Sequence, residues 1–317
     1  MPSPEVVPRL IRQIYQVRPD LKLPEAAIHA VLFEVRRALP RDNPGRERLP
    51  FYWYTHGPYS EIVRSSIEDL ERRGILREET KAGKTLLVLD ARPAAVGCVC
   101  EDELWRIVRE IDPLEAFINR IYRDHAPYEF MPRYRVDFIA SLEGYIASRP
   151  EGTLDRGSFC GIDCLEDALY ACETVLVEEP LFEGFNDEFT AYVSGAGKAF
   201  DIARTGESAA YPVIRATCAV ARDVWCVFAG GVRILSRGHD DYYDGRLERW
   251  EQEYRKAFSA LAPKVRAYNR YIRESARRTP RGEPDERTTR ILSSLIEGYL
   301  PGITVRNPGA FLAGERG

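Results

Sequence analysis

The chain has 317 residues, of which 44% are hydrophobic and 30% charged, a composition typical of an ordinary folded protein with room for two domains. Its formal net charge is −4, which argues against a uniformly basic nucleic-acid-binding protein. Residues 1–92 contain 16 Lys/Arg and 13 Asp/Glu, a balance of +3 that leaves −7 for the remainder. A nucleic-acid-binding face is therefore compatible with the first part and disfavoured in the second.

The N-terminus does not combine a charged start with an apolar stretch, so no secretory signal is predicted. The most apolar segment, residues 211–230, contains Arg215, Arg222 and Asp223, and this predicts a helix buried in protein instead of a membrane span. We therefore expect a cytoplasmic protein whose seven cysteines are reduced thiols. No paired C-x-x-C motif occurs, so no structural zinc site is expected.

The first two elements are predicted to be helices. Apolar residues recur at helical spacing within residues 4–17, and again after Pro24, which suits a helix start because proline lacks the N–H that is unpaired there. The second helix should end before Pro40. A polar loop follows at residues 40–50 and contains Arg41, Arg46 and Arg48. The aromatic residues 51–54 favour a short strand.

A turn is predicted at residues 56–58, followed by a third helix for which Ser60 supplies a side-chain cap. Gly74 should end this helix, since glycine readily adopts the left-handed backbone conformation needed there. Residues 75–89 are predicted to form a β-hairpin with its turn at residues 81–84. Helix, helix, strand, helix and hairpin in this order predict a winged helix-turn-helix domain over residues 1–92.

The aromatic run, the following His-Gly-Pro-Tyr-Ser and the helix ending in Leu-x-x-x-Gly-Ile resemble uncharacterised prokaryotic winged-helix proteins of the Panacea-antitoxin-like kind. The residues that carry this resemblance are Gly57, Pro58, Tyr59, Ser60, Leu70, Gly74 and Ile75. It covers roughly the first 90 residues and does not extend to the rest of the chain. It implies regulation or neutralisation of a partner instead of catalysis.

Long amphipathic helices are predicted beyond residue 100. Apolar stripes occur within residues 101–124, 163–178, 187–204, 209–230 and 241–276, with bends expected at Pro113 and Pro263. We therefore predict a helical bundle over residues 100–300 and a flexible tail at residues 301–317. The fold class is mainly α: an N-terminal winged helix followed by a bundle for ligand sensing or dimerisation.

The sequence leaves two alternative binding partners for the third helix, DNA and a protein. If it enters a DNA major groove, the nucleic-acid-binding residues are Arg46, Arg48, Ser60, Arg64, Ser65, Lys81 and Lys84. Glu61, Glu68 and Glu71 oppose binding to phosphates. The chain is therefore predicted to be a non-enzymatic regulator that binds double-stranded DNA, or alternatively an antitoxin-like module that binds a protein or a second copy of itself.

Two features of the second part suggest other sites. Arg215, Arg222 and Asp223 could line a pocket for an anionic ligand or partner, although pairing among neighbouring charges is the favoured interpretation. His239, Asp240 and Asp244 are weak metal ligands for a hydrolase, and a helix cap is the simpler interpretation of the aspartates. The chain contains no Walker or G-x-G-x-x-G loop, and no cofactor is predicted.

Overall fold

The structure, a computed structural model, is mainly helical and contains two small two-stranded sheets. It describes residues 6–40, 43, 46, 49–81, 83–90, 101–148, 159–205, 210–236 and 243–278. The predicted tail at 301–317 lies outside these residues. Within the described ranges, no helix is both long enough and apolar enough to cross a membrane.

The elements of the first part follow the predicted order, with one addition. They are α1 (Val6–Val17), α2 (Glu25–Ala38), β1 (Tyr52–Tyr54), β2 (Gly57–Tyr59), α3 (Glu61–Arg72), β3 (Leu76–Lys81) and β4 (Lys84–Leu89). The apolar stripe of α3 (Val63, Ile67 and Leu70) is buried, as its helical spacing predicted. Gly74 follows α3 with φ 66°, which confirms the predicted end of this helix.

The prediction of a simple turn at residues 56–58 is wrong. Gly57–Tyr59 form strand β2, which pairs antiparallel with β1, and the turn lies one position earlier, at Thr55 and His56. Gly57 has φ 104°, a conformation that glycine adopts without strain. Proline is tolerated at Pro58 because a two-stranded sheet consists of edge strands only.

Strands β3 and β4 form the predicted hairpin, with Lys81 opposite Lys84 beside its turn. A further segment joins this sheet: Leu23, between α1 and α2, forms an antiparallel bridge with Leu87 of β4. The two backbones exchange hydrogen bonds of 3.2 and 2.8 Å. The hairpin is therefore attached to the start of α2 as well as to the end of α3.

The second part consists of helices packed around an aromatic core. They are α4 (Glu101–Arg109), α5 (Leu114–His125), a π-helical segment (Pro132–Ile139), α6 (Ala140–Ala147), α7 (Phe159–Glu173), a 3-10 turn (Pro180–Phe182), α8 (Glu183–Arg204), α9 (Ala210–Leu235) and α10 (Asp244–Arg278). The predicted stripe at 101–124 is interrupted at Pro113 and forms two helices. Pro263 lies inside α10, and the bend expected there stays a prediction.

Most buried apolar side chains form one large cluster that includes residues from α1 through α10, and Tyr52, Tyr243 and Trp250 form a second, small cluster. Helices α8, α9 and α10 pack closely enough that a Cβ added at Gly195 would lie 1.9 Å from Oδ1 of Asn269. The first part also contacts the second, chiefly through α2 with α4 and β1 with α9. The two predicted domains therefore share buried apolar surface where they meet.

Candidate partner-recognition surface and adjoining pocket

One flank of α3 faces away from the rest of the described chain. Arg64, Ser65, Glu68 and Arg72 are exposed on this flank, beside the β3–β4 hairpin. The N-terminal end of α3 meets the second part, where Arg246 of α10 contacts Glu61 at 2.8 Å. The surface that the sequence assigned to partner recognition is therefore accessible along most of the helix.

The predicted capping role of the Ser60 side chain is wrong. Ser60 occupies the N-cap position, but its Oγ is buried and has no hydrogen-bond partner among the described residues. Instead, its backbone N–H donates to Nδ1 of His29, 3.1 Å away on α2. The start of α3 is therefore held by a side chain 31 positions earlier.

The His29 imidazole lies between α2 and α3. Its ring stacks on Tyr59 with centroids 4.5 Å apart, and its Nε2 lies 3.3 Å from Oε1 of Glu25. Because Nδ1 accepts the N–H of Ser60, the proton of the neutral ring is on Nε2, which donates to Glu25. Burial lowers the pKa of His29, and the hydrogen bond from His29 lowers the pKa of Glu25.

One of the basic side chains predicted to contact DNA, Arg64, is paired with an acidic one, and so are two further arginines at the C-terminal end of α3. Arg64 donates to Glu68 at 3.0 Å and to the hydroxyl of Tyr59 at 3.3 Å. Arg72 and Arg73 both contact Asp69, at 3.2 and 2.9 Å. Glu68 therefore compensates the charge of Arg64, whereas Arg72 and Arg73 share the single carboxylate of Asp69.

The other predicted DNA contacts lie on three different elements. Lys81 is exposed at the hairpin turn, where Lys84 stands opposite, although the side chain of Lys84 is not described. Arg46 is half-buried, and its carbonyl accepts a hydrogen bond of 3.1 Å from Arg36. Arg48 lies outside the described residues. Of these predicted contacts, Lys81 is the one whose described side chain extends the exposed surface of α3 with positive charge.

Four glutamates form an acidic strip across this surface: Glu25 of α2, Glu68 and Glu71 of α3, and Glu78 of β3. The pKa of Glu71 is raised, first by burial and then by repulsion from Glu78, Glu25 and Glu68. Within the described part of the chain, Glu71 and Glu78 have no ion-pair partner. The strip therefore contains two carboxylates, Glu71 and Glu78, without an ion pair among the described residues, and one, Glu68, that is paired with Arg64.

A cavity of about 390 Å³ adjoins the acidic strip at the β1–β2 turn. Its walls combine three tyrosines (Tyr52, Tyr54 and Tyr59), two histidines (His29 and His56), two glutamates (Glu25 and Glu61) and two arginines (Arg64 and Arg233). These residues come from α2, the β1–β2 hairpin, α3 and α9. Cavities of this size and mixed lining are typical of sites that enclose a small ligand or a side chain.

The β1–β2 hairpin that lines this pocket is held by the second part of the chain. The carbonyl of Thr55 accepts hydrogen bonds from Nε1 of Trp225 at 2.9 Å and from the hydroxyl of Tyr122 at 3.3 Å. The backbone N–H of Trp53 donates to Oγ of Ser236 at 2.9 Å. The helices thereby determine the position of the segment that leads directly into α3.

Arg233 of α9 is the pocket residue that sequence reasoning missed. Its side chain is only 9% exposed, and its guanidinium lies between the rings of Tyr54 and Trp250, 4.6 and 4.8 Å from their centroids. Nη2 donates to Glu253 at 2.7 Å, whereas Nε has no partner among the described residues. The aromatic run 51–54 was a sequence signal, but its contact with Arg233 depends on tertiary packing.

The charges predicted to form a second pocket are placed on outer positions of α9. Arg222 donates to Glu143 at 2.9 Å, and Asp223 accepts from Lys264 at 2.8 Å. Arg215 lies over the ring of Tyr211, 5.8 Å from its centroid. The pocket described above includes none of these three residues. Arg222 and Asp223 each pair with another charged residue, which agrees with the alternative that neighbouring charges simply neutralise them. Ligand binding by the three residues stays a prediction.

The metal-binding prediction falls mostly outside the described residues. His239 and Asp240 are not described, and Asp244 begins α10 without a described side chain. Among the side chains that the structure does describe, no group of three or more His, Cys, Asp or Glu is arranged to hold a metal ion. The hydrolase alternative therefore receives no support from the described geometry.

Comparison of the chain with protein-family models, curated proteins and solved structures finds no match.

Proposed function

We propose that this protein is a non-enzymatic, antitoxin-like interaction module that recognises a basic protein partner through a winged-helix surface. The proposal combines the element order of residues 6–89 with the charge of the exposed flank of α3. The bridge between Leu23 and Leu87 adds support, since a winged helix has a short strand between its first two helices that joins the hairpin. In this arrangement α3 is the helix that a partner meets first.

The acidic strip is the observation that carries the choice of partner. DNA-binding surfaces gain most of their affinity by neutralising phosphates with lysine and arginine. Residues 61–84 contain six acidic and six basic side chains, so this surface offers no excess of positive charge. Glu25 and Glu71 would meet a phosphate backbone with like charge, whereas a basic protein surface would complement them.

DNA binding was the first function predicted from the sequence. The experiment must distinguish it from binding of a basic protein partner. Fluorescence polarisation would measure binding to mixed double-stranded DNA fragments at about 50 mM salt, where phosphate contacts are strongest. We expect no salt-dependent binding by the natural protein. A titration with tight binding that weakens steeply as salt rises would overturn the proposal.

The protein partner is tested with charge-reversed variants. Chemical crosslinking in native-host extract should recover a basic protein with the natural chain, and Glu68→Arg together with Glu71→Arg should abolish recovery by adding like charge at the contact. Glu274→Arg is the matched control, because Glu274 is exposed on the distant part of α10. Equal recovery with the Glu68/Glu71 variant would contradict the assignment of the acidic strip.

A further inference from the structure

We propose that the pocket at the β1–β2 turn receives the cationic end of a lysine or arginine side chain presented by the basic partner. This inference rests on the proposed function and deepens it, because it assigns one anchoring contact within the broader surface. The pocket and the acidic strip are continuous: Glu25 belongs to both, and Arg64 of the pocket is paired with Glu68 of the strip.

The aromatic lining suits a cation. Tyr52, Tyr54 and Tyr59 contribute rings to the walls, and the face of an aromatic ring attracts ammonium and guanidinium groups. Arg233 already demonstrates this contact at the pocket, where its guanidinium lies over Tyr54 and Trp250. A cavity of about 390 Å³ has room for one long side chain and the backbone that carries it.

The charges of the lining leave one carboxylate without a cationic partner. Arg64 is paired with Glu68, and Arg233 is paired with Glu253. Glu61 is paired with Arg246 in the same way. Glu25 has only the His29 imidazole as its hydrogen-bond partner, and that ring is neutral while its Nδ1 accepts the N–H of Ser60. Glu25 is therefore the one charged residue of the lining that has no oppositely charged partner among the described residues, and this favours a cation beside it.

The Glu25 carboxylate is also well placed to meet a ligand. It is exposed at the first position of α2, and the buried His29 lies beside it in the lining. One oxygen accepts from His29, which leaves the other oxygen to accept from an incoming ammonium or guanidinium. A charge-assisted hydrogen bond at Glu25, in a pocket that tyrosines also line, would orient the cation as well as attract it.

The test uses a small probe, so it does not require the partner. Nα-acetyl-L-arginine amide is titrated into the full chain, and the ring signals of His29 and Tyr59 are followed by NMR in protein with labelled histidine and tyrosine. The uncharged citrulline derivative is the matched control for shape, and the corresponding aspartate derivative tests for an anion site. We expect saturable shifts with the arginine derivative alone.

Two variants assign the contact to Glu25. Glu25→Gln keeps a hydrogen-bond acceptor for His29 but removes the charge, and it should weaken binding of the arginine probe by at least about five-fold, the effect of losing one charge-assisted contact. Glu79→Gln removes a half-buried carboxylate that is paired with Lys22 outside the pocket, and it should leave binding unchanged.

Several outcomes would overturn the inference. They are saturable binding of the aspartate derivative in place of arginine, equal binding of the citrulline derivative, an unchanged affinity in Glu25→Gln, or no saturable shift with any probe. If the probe fails to bind while the Glu68/Glu71 variant still loses the partner, the pocket assignment falls and the proposed function stands. If the probe fails to bind and the Glu68/Glu71 variant still recovers the partner, both the pocket assignment and the proposed function fall.

Discussion

Ser60 donates its backbone N–H to Nδ1 of His29, and this single bond joins the start of α3 to the middle of α2. The two residues are 1% exposed or less, so water cannot replace the bond. The same imidazole stacks on Tyr59 and donates to Glu25. One histidine thereby connects the acidic strip, the pocket and the helix that presents the proposed recognition surface.

Replacing His29 by alanine should lower the free energy of unfolding by about 2–4 kcal/mol, because the change leaves a buried N–H unpaired and removes a packed ring. His56→Ala is the matched control. His56 is exposed and has no hydrogen-bond partner among the described residues, so we expect a change within about 0.5 kcal/mol. Urea unfolding of both variants measures the difference, and equal destabilisation would contradict the structural role of His29.

The stability of the protein should fall as the pH falls below about 6.5, the ordinary pKa of histidine. Burial lowers the pKa of His29 in the folded state, so the unfolded chain binds a proton first and is favoured by acid. Glu25 and Glu61 oppose this shift and Arg64 adds to it, but burial is the largest cause.

The pH effect is checked with His29→Gln, whose side-chain oxygen can still accept the N–H of Ser60. Urea unfolding at pH 7.5 and pH 5.5 should show a smaller loss of stability in the variant than in the natural protein. The lowered pKa of Glu25 contributes in the same direction at lower pH, and the variant should lose part of this contribution as well, because the hydrogen bond from His29 is its largest cause. An identical pH dependence would exclude His29 as its source.

Removing Arg233 should destabilise the protein more than removing its neighbour Arg249, although both donate to Glu253. Arg233 is only 9% exposed and stacked between two rings, whereas Arg249 is 82% exposed. We expect a loss of about 1–3 kcal/mol for Arg233→Ala and less than about 0.5 kcal/mol for Arg249→Ala. Urea unfolding followed by tryptophan fluorescence measures the loss of stability in both variants. A larger loss in Arg249→Ala than in Arg233→Ala would show that the stacked guanidinium does not stabilise the fold.

Gly195→Ala should destabilise the packing of α8 against α10 by about 1–3 kcal/mol, because its new Cβ would overlap Asn269 and approach Tyr268 to 2.8 Å. Gly144→Ala is the opposite case in another helix. Nothing lies within 4 Å of the added Cβ there, so the better helix propensity of alanine should stabilise the protein by about 0.5–1 kcal/mol. Thermal unfolding of the two variants should therefore show midpoints that move in opposite directions.

The sequence by itself determined the mainly helical fold class and most elements, because the spacing of apolar residues along a short segment indicates whether it forms a helix or a strand. The stripe of α3, its end at Gly74 and the β3–β4 hairpin were all predicted correctly for this reason. The π-helical segment at Pro132–Ile139 was missed, since its stability depends on packing against other helices.

Only the tertiary structure decided how the site is assembled. Ser60 was expected to cap α3 with its hydroxyl, but His29 satisfies the start of the helix from a position that is remote in sequence. The pocket requires Arg233 beside Tyr54, and no local pattern indicates a contact between residues so far apart. Local propensity depends on neighbours along the chain, whereas a cavity and its charges depend on which distant surfaces are buried together.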